Sequence, residues 1–146
     1  MNKRPKILIT NDDGIFAPGI RHLWNSLKDV ADTTIVAPAS EQSAVGLSIT
    51  LRNPLRIHQV EWPGQTNAWS ITGTPADCIK MGLKVVLDTK PDLIVSGINR
   101  GSNAGRNILY SGTVGGTIEG ILQGIPGIAF SCLDYFDTNY QKVESY

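Results

Sequence analysis

The chain is short of histidine, cysteine and net charge, and each shortage removes a class of function. His22 and His58 are the two histidines, one in a helical pattern and one in a strand pattern. Both read as ordinary surface or packing residues, and no histidine cluster offers a zinc site. The two cysteines, Cys78 and Cys132, lie in apolar segments without metal-type spacing. They read as reduced core residues of a cytosolic protein, not as a disulfide framework. Thirteen basic and thirteen acidic residues cancel. No global field therefore recruits a nucleic-acid polymer or an anionic membrane, whereas a small anionic substrate needs only local donors. No apolar run is long enough to span a bilayer, and the Lys3-Arg4-Pro5 start lacks the apolar region of a signal peptide. A cytoplasmic location is expected.

What the chain has is a core and many glycines. It is 41% hydrophobic over 146 residues, enough for a single domain covering residues 1–146. Its 15 glycines cluster near the polar loops. Residues 6–10 predict a buried strand, and Pro18 opens a helix expected to run to about Val30, with Ile20, Leu23, Trp24 and Leu27 as one apolar stripe. Residues 33–37 predict a second strand ended by Pro38, giving a right-handed β-α-β unit. Residues 39–48 read as a loop. Residues 49–61 and 67–72 read as strands around the Pro63-Gly64 turn. Thr74 and Pro75 open a helix to about Leu87, with Asp77 near the capping-box position and Ile79, Leu83 and Val86 facing inward. Asp92 to Ser96 predicts a strand covered on both faces. A Gly-, Asn- and Ser-rich loop from Gly97 to Gly112 follows. A helix is then expected from Thr113 to about Gln123, with Val114, Ile118, Ile121 and Leu122 on one face, and last a strand over residues 127–132. Alternating strands and helices predict a three-layer α/β/α, Rossmann-like, doubly wound fold with a mostly parallel sheet. Leu133 to Tyr146 shows no clear period.

The chemistry concentrates in Asn11-Asp12-Asp13-Gly14, directly after the first strand. Adjacent carboxylates repel, and closing a site over them desolvates them; a divalent cation removes that cost. Open α/β sheets bind ligands beyond the carboxyl ends of their strands. On the same edge stand the loops carrying Ser40-Glu41-Gln42-Ser43 and Asn99-Arg100-Gly101-Ser102-Asn103. Their carboxylate, hydroxyl and amide oxygens are hard ligands, suited to Mg²⁺, Mn²⁺ or Ca²⁺. Tyr110-Ser111-Gly112-Thr113 stands at a helix start, where unpaired N–H groups and the helix dipole attract an anion. Ser111 and Thr113 add hydroxyl donors, and Gly112 allows close backbone approach.

Each feature also has a plainer reading. Asn-Asp-Asp-Gly is good turn chemistry. Ser43 alone is an ordinary loop serine, and Asn99 and Asn103 could be turn residues. Ser111 or Thr113 could be a simple N-cap. The glycines of the last helix could serve close helix–sheet packing, and Arg100 and Arg106 could be solvated charges. The coincidence of these loops on one edge favours function.

Taken together, Ile9-Thr10-Asn11-Asp12-Asp13-Gly14 with Ala17-Pro18-Gly19, Val36-Ala37-Pro38 followed by Ser43, Thr72-Gly73-Thr74-Pro75-Ala76-Asp77-Cys78, Val95-Ser96-Gly97-Ile98-Asn99-Arg100-Gly101 and Tyr110-Ser111-Gly112-Thr113-Val114 resemble the survival protein SurE family. The resemblance implies a metal-dependent phosphomonoesterase that hydrolyses nucleoside 5′-monophosphates. It assigns one divalent cation per subunit, Mg²⁺ or Mn²⁺, to Asp12, Asp13, Ser43 and Asn99. The expected catalytic residues are Asp12 and Asp13, and the expected phosphate and substrate contacts are Asn11, Asn103, Ser111, Gly112 and Thr113. Either a metal-activated water or an aspartate could attack phosphorus. Two departures stand out. The family commonly has serine where this chain has Gly115. Its chains also continue past this core, with further sheet and a C-terminal part exchanged between subunits. The chain is therefore expected to be either C-terminally truncated or a natural short form, and the full-length protein a homodimer or homotetramer. The rival readings are a non-catalytic nucleotide-binding domain and a Rossmann dehydrogenase, whose Gly-x-Gly-x-x-Gly turn is missing after the first strand.

Overall fold

A computed structural model describes residues 3–134 and Tyr140. Its centre is a six-stranded sheet of order β3-β4-β2-β1-β5-β6. These strands are β1 (Lys6–Thr10), β2 (Asp32–Pro38), β3 (Ile57–Val60), β4 (Asn67–Ile71), β5 (Leu93–Arg100) and β6 (Gly127–Cys132). All neighbours are parallel except β3, which pairs antiparallel with β4 at one edge. Three helices cover the sheet: α1 (Pro18–Leu27), α2 (Pro75–Met81) and α3 (Gly112–Leu122).

Alternation along the central strands makes two cores. Ile7 and Ile9 of β1 face α1, where they meet Ile20, Leu23 and Trp24. Leu8 points the other way and packs with Val36, Cys78, Ile79 and Ile94 beneath α2. The helices thus lie on both faces, as in a doubly wound sandwich. The strand order turns about β1, the first strand of the chain but an inner strand of the sheet, with β2 on one side and β5 on the other. Such a reversal leaves a crevice at the carboxyl ends of β1, β2 and β5. Cys78 and Cys132 are free and buried. Burial pushes the Cys78 thiol well up, with the nearby Asp77 charge adding to it.

The elements sit where periodicity places them, with several corrections. α1 ends at Leu27, not Val30, because the chain turns there: the Val30 and Ala31 N–H groups both donate to the Leu27 carbonyl, at 3.1 and 3.0 Å. Of residues 49–61, only Ile57–Val60 pairs as a strand. Pro54 offers no N–H to a ladder, and the Thr50 N–H is taken by Asp77. α2 keeps its expected Thr74–Asp77 capping box but gives way to a π turn over Gly82–Val86, leaving Leu83 and Val86 half-buried. β5 runs past Ser96 to Arg100, with Asn99 and Arg100 paired to Ser131 and Cys132 of β6. The strand therefore takes the first residues of the expected loop.

The largest correction concerns α3. Its apolar residues do not face the sheet: Ile121 and Leu122 are 57% and 67% exposed, and Val114 and Ile118 are half-buried. The buried residues are Gly112, Thr113, Gly115, Gly116, Thr117, Glu119 and Gly120. A Cβ at Gly120 would stand 2.3 Å from Ile94 Cδ1. Glycines four apart let the helix backbone settle on the sheet, so the packing reading of these glycines holds and the apolar stripe turns outward. No helix among the described residues is long and apolar enough to cross a membrane.

Candidate functional site

The carboxyl ends of β1, β2 and β5 open into a cleft of about 300 Å³. Asp12, Asp13, Ser43, Asn99, Asn103 and Ser111 all line it. Loops far apart in sequence meet there because parallel strands end on one edge. Two larger clefts, of about 440 and 530 Å³, lie around Asp32 and Asn67 at the opposite ends of the strands. That edge lacks the strand-end loops that carry ligand chemistry in such sheets, so size does not select the site.

Asp12 is the anchor. It is 7% exposed, and the Thr113 hydroxyl donates to its Oδ1 at 2.5 Å. Gly112 makes that approach possible: a Cβ there would stand 2.8 Å from Asp12 Cβ and 3.0 Å from Oδ2. Burial pushes the Asp12 carboxyl up, and the Thr113 hydroxyl pulls part of the way back. Asp13 is half-buried. Its carboxyl is pushed up to about 6, first by burial and then by the Asp12 charge, with Glu41 adding to it. The Arg100 backbone N–H and the Arg100 charge oppose this without cancelling it. The pair of carboxylates is thus held at an energetic cost that a bound cation would relieve.

Asn99 donates its Nδ2 to the Gly101 carbonyl at 2.8 Å, which leaves Oδ1 as an acceptor. Ser43 is exposed and donates to Glu41 Oε1 at 2.5 Å. Asn103 donates to Ser131 Oγ at 2.9 Å. Among the described residues no group of three or more His, Cys, Asp or Glu side chains could hold a metal ion. The fit therefore rests on two carboxylates plus neutral hydroxyl and amide oxygens. That all-oxygen set suits a hard divalent cation that keeps several waters, the habit of Mg²⁺.

Two expected contacts, Asn11 and Thr113, are placed away from the cleft. Asn11 is 1% exposed and does not line the cleft. Its Nδ2 donates to the Gly14 carbonyl at 2.8 Å, so it braces the turn that presents Asp12 and Asp13. Its Oδ1 has no partner among the described residues. Thr113 is fully buried and spends its hydroxyl on Asp12, not on the cleft. Ser111 lines the cleft, yet its Oγ accepts the Val114 N–H at 3.1 Å as the N-cap of α3. The helix start still aims at the cleft through Ser111. Glu41, Arg100 and Tyr110 also line it. Sequence reading quoted them within their loops but gave them no role, because exposed charges and a loop tyrosine carry no period. Their closeness in sequence to Ser43, Asn99 and Ser111 was the available signal.

Comparison with known proteins bears on this geometry. The family model described as survival protein SurE matches residues 7–146. A 5′-nucleotidase SurE of Protochlamydia amoebophila is 62% identical over 147 aligned residues, covering 100% of this chain and 56% of the relative. A 5′-nucleotidase SurE of Thermosipho melanesiensis is 47% identical, covering 96% of this chain and 55% of the relative. The crystal structure of the SurE protein from Aquifex aeolicus superimposes with a TM-score of 0.87 at 42% identity, over 97% of this chain and 56% of that one. The chain thus spans little more than half the length of the curated relatives it matches.

Proposed function

The chain belongs to the survival protein SurE family, and from that premise we propose that it carries the active site of a metal-dependent phosphomonoesterase acting on nucleoside 5′-monophosphates. The observation that carries the reading is the meeting of Asp12, Asp13, Ser43 and Asn99 in one cleft beside the start of α3.

In this reading Asp12, Asp13, Ser43 and Asn99 would hold one divalent cation, Mg²⁺ or Mn²⁺. When bound, the cation would supply charge neutralisation and a bound water of lowered pKa. The chain's own residues do the rest. Thr113 fixes the Asp12 rotamer. Gly112 brings the first turn of α3 against Asp12, so the positive end of the helix dipole would lie beside a phosphoryl group bound in the cleft. Ser111 and Asn103 offer further donors to the phosphate oxygens. Asp13 is the better placed of the two carboxylates to take a proton from an attacking water. Burial and the Asp12 charge push its carboxyl up to about 6, and a bound cation would favour the ionised, proton-accepting form. Asp12 is the more buried and the more tightly held.

The test is phosphate release from AMP by the full-length protein, with EDTA and then with Mg²⁺ or Mn²⁺ restored. Turnover that survives chelation refutes the metal reading. Nucleotide binding without phosphate release refutes the enzyme reading and supports a binding domain. Trapping of an acyl phosphate on Asp12 or Asp13 would replace water with aspartate as the attacking group. A cytoplasmic homodimer or homotetramer is part of the same proposal, tested by fractionation and by mass in solution.

A further inference from the structure

One buried carboxylate outside the cleft does more than its helix requires. Asp77 is 3% exposed and sits at N3 of α2. Its Oδ2 accepts the Thr74 N–H at 2.9 Å, and its own N–H donates to Thr74 Oγ1 at 3.2 Å. Those two bonds complete the capping box. Asp77 also accepts from Thr50, through the backbone N–H at 3.2 and 3.1 Å and through the hydroxyl at 2.6 Å. The Thr74 hydroxyl meanwhile donates to the Ser48 carbonyl at 2.6 Å. None of the bonds to residues 48–50 is needed to cap α2. They tie down the loop that bears Ser43.

That loop needs holding. Ala44 has φ 56° and Gly46 has φ 54°. A non-glycine residue in the left-handed region costs about 1–2 kcal/mol and persists only where its surroundings over-determine it. Ala44 itself lines the cleft beside Ser43. The strained stretch is bracketed on every side. The Gln42 N–H donates to the Asp12 carbonyl at 2.7 Å, and the Gly46 N–H to the Tyr110 carbonyl at 2.9 Å. A Cβ at Gly115 would stand 2.2 Å from the Gly46 oxygen, so α3 lies flush against the loop. These upstream and lateral ties are backbone contacts. The downstream tie is made by the side chains of Asp77, Thr74 and Thr50.

We propose that Asp77 is a positioning residue for the cation site: through Thr50, and through Thr74 to Ser48, it holds the loop that sets Ser43 beside Asp12 and Asp13. The inference rests on reading Ser43 as a cation ligand. It adds a role to the Thr74-Pro75-Ala76-Asp77 motif, which otherwise reads as a helix start. In this arrangement the start of α2 controls cation affinity without touching the cation.

The test uses the full-length protein with Mn²⁺ as probe, followed by calorimetric titration, and compares Thr50→Val, Thr50→Ser and Asp77→Asn with wild type. Thr50→Val removes the hydroxyl but keeps the branched shape. It should weaken Mn²⁺ binding by up to about tenfold, the lower end of the loss seen when a ligand's own hydrogen-bond partner is removed. Its melting temperature in EDTA should stay close to wild type. Thr50→Ser should restore wild-type affinity. Asp77→Asn should weaken binding at least as much as Thr50→Val; if it does not fold, the Thr50 pair still decides the matter. Wild-type Mn²⁺ affinity in a folded Thr50→Val protein overturns the proposal, as does a loss that Thr50→Ser fails to restore. If wild type itself binds no Mn²⁺, the metal reading falls and this inference with it, so the two failures are distinct.

Discussion

Replacing Asp13 with asparagine should make the metal-free protein more stable and the metal-loaded protein less so. Asp13 is half-buried beside Asp12, and its carboxyl is raised from 3.8 to about 6. A folded-state value above the unfolded one means that the folded chain holds its proton more tightly. Below about 3.8 both states are protonated and the folded state bears no penalty from this group. As pH rises through about 6 the folded state must ionise Asp13 at a cost, and that stability is lost. The full difference is at most about 3 kcal/mol. Partial solvent access screens it, so about 1–2 kcal/mol is the expected gain for Asp13→Asn at pH 7.5 in EDTA. For a chain of this size that is a rise in melting temperature of about 3–8 °C. The Arg100 backbone N–H keeps an acceptor, because the asparagine Oδ1 replaces a carboxylate oxygen. Near pH 4 the gap should close. Saturating Mg²⁺ reverses the order: about 2.7 kcal/mol accrues to wild type at a hundred times Kd and little to the variant. Thermal melts at the two pH values, with and without Mg²⁺, measure all four corners. An Asp13→Asn protein no more stable than wild type in EDTA at pH 7.5, or equally ahead at pH 4, would refute the account of a buried, repelling pair.

Other outcomes follow from the same contacts. Thr113→Val leaves a buried Asp12 oxygen without its donor, which should cost about 1–3 kcal/mol of stability and lower Mn²⁺ affinity roughly tenfold; unchanged affinity by titration would show that Asp12 needs no such support. Gly120→Ala brings a Cβ to 2.3 Å from Ile94 Cδ1. It should destabilise by about 1–3 kcal/mol through overpacking, with Mn²⁺ affinity retained.

Much of this was legible in the sequence, for identifiable reasons. The Ile7–Ile9 run, Pro18 and Pro75 at helix starts, and the Thr74–Asp77 capping box are local signals, and the structure keeps each of them. The carboxylates of Asp12 and Asp13 are likewise announced by their neighbours, since two adjacent charges at a strand end demand an explanation wherever they occur. Ser43 and Asn99 could be nominated only because parallel strands end on one edge, and the fold class itself was inferred from local periodicity. α3 shows the limit of that method. Its apolar stripe predicts one inward face, yet glycines four apart give the sheet a closer fit on another. Periodicity measures amphipathicity, not the depth to which a backbone can approach its neighbour.

What the sequence alone determined is therefore the order of elements, the sheet class and the oxygen-rich residues of the cleft, because these follow from short-range pattern and from chemistry carried by single side chains. What only the tertiary structure decided is who holds whom. Asn11 braces a turn, Thr113 serves Asp12, and Ser111 caps a helix. Asp77 grips a loop that precedes it in the chain. A hydroxyl or carboxylate has several partners within its chemical reach, and nothing local ranks them. The choice is made when distant segments pack, because each buried polar group must then find its partner among the few atoms that packing has brought within about 3 Å.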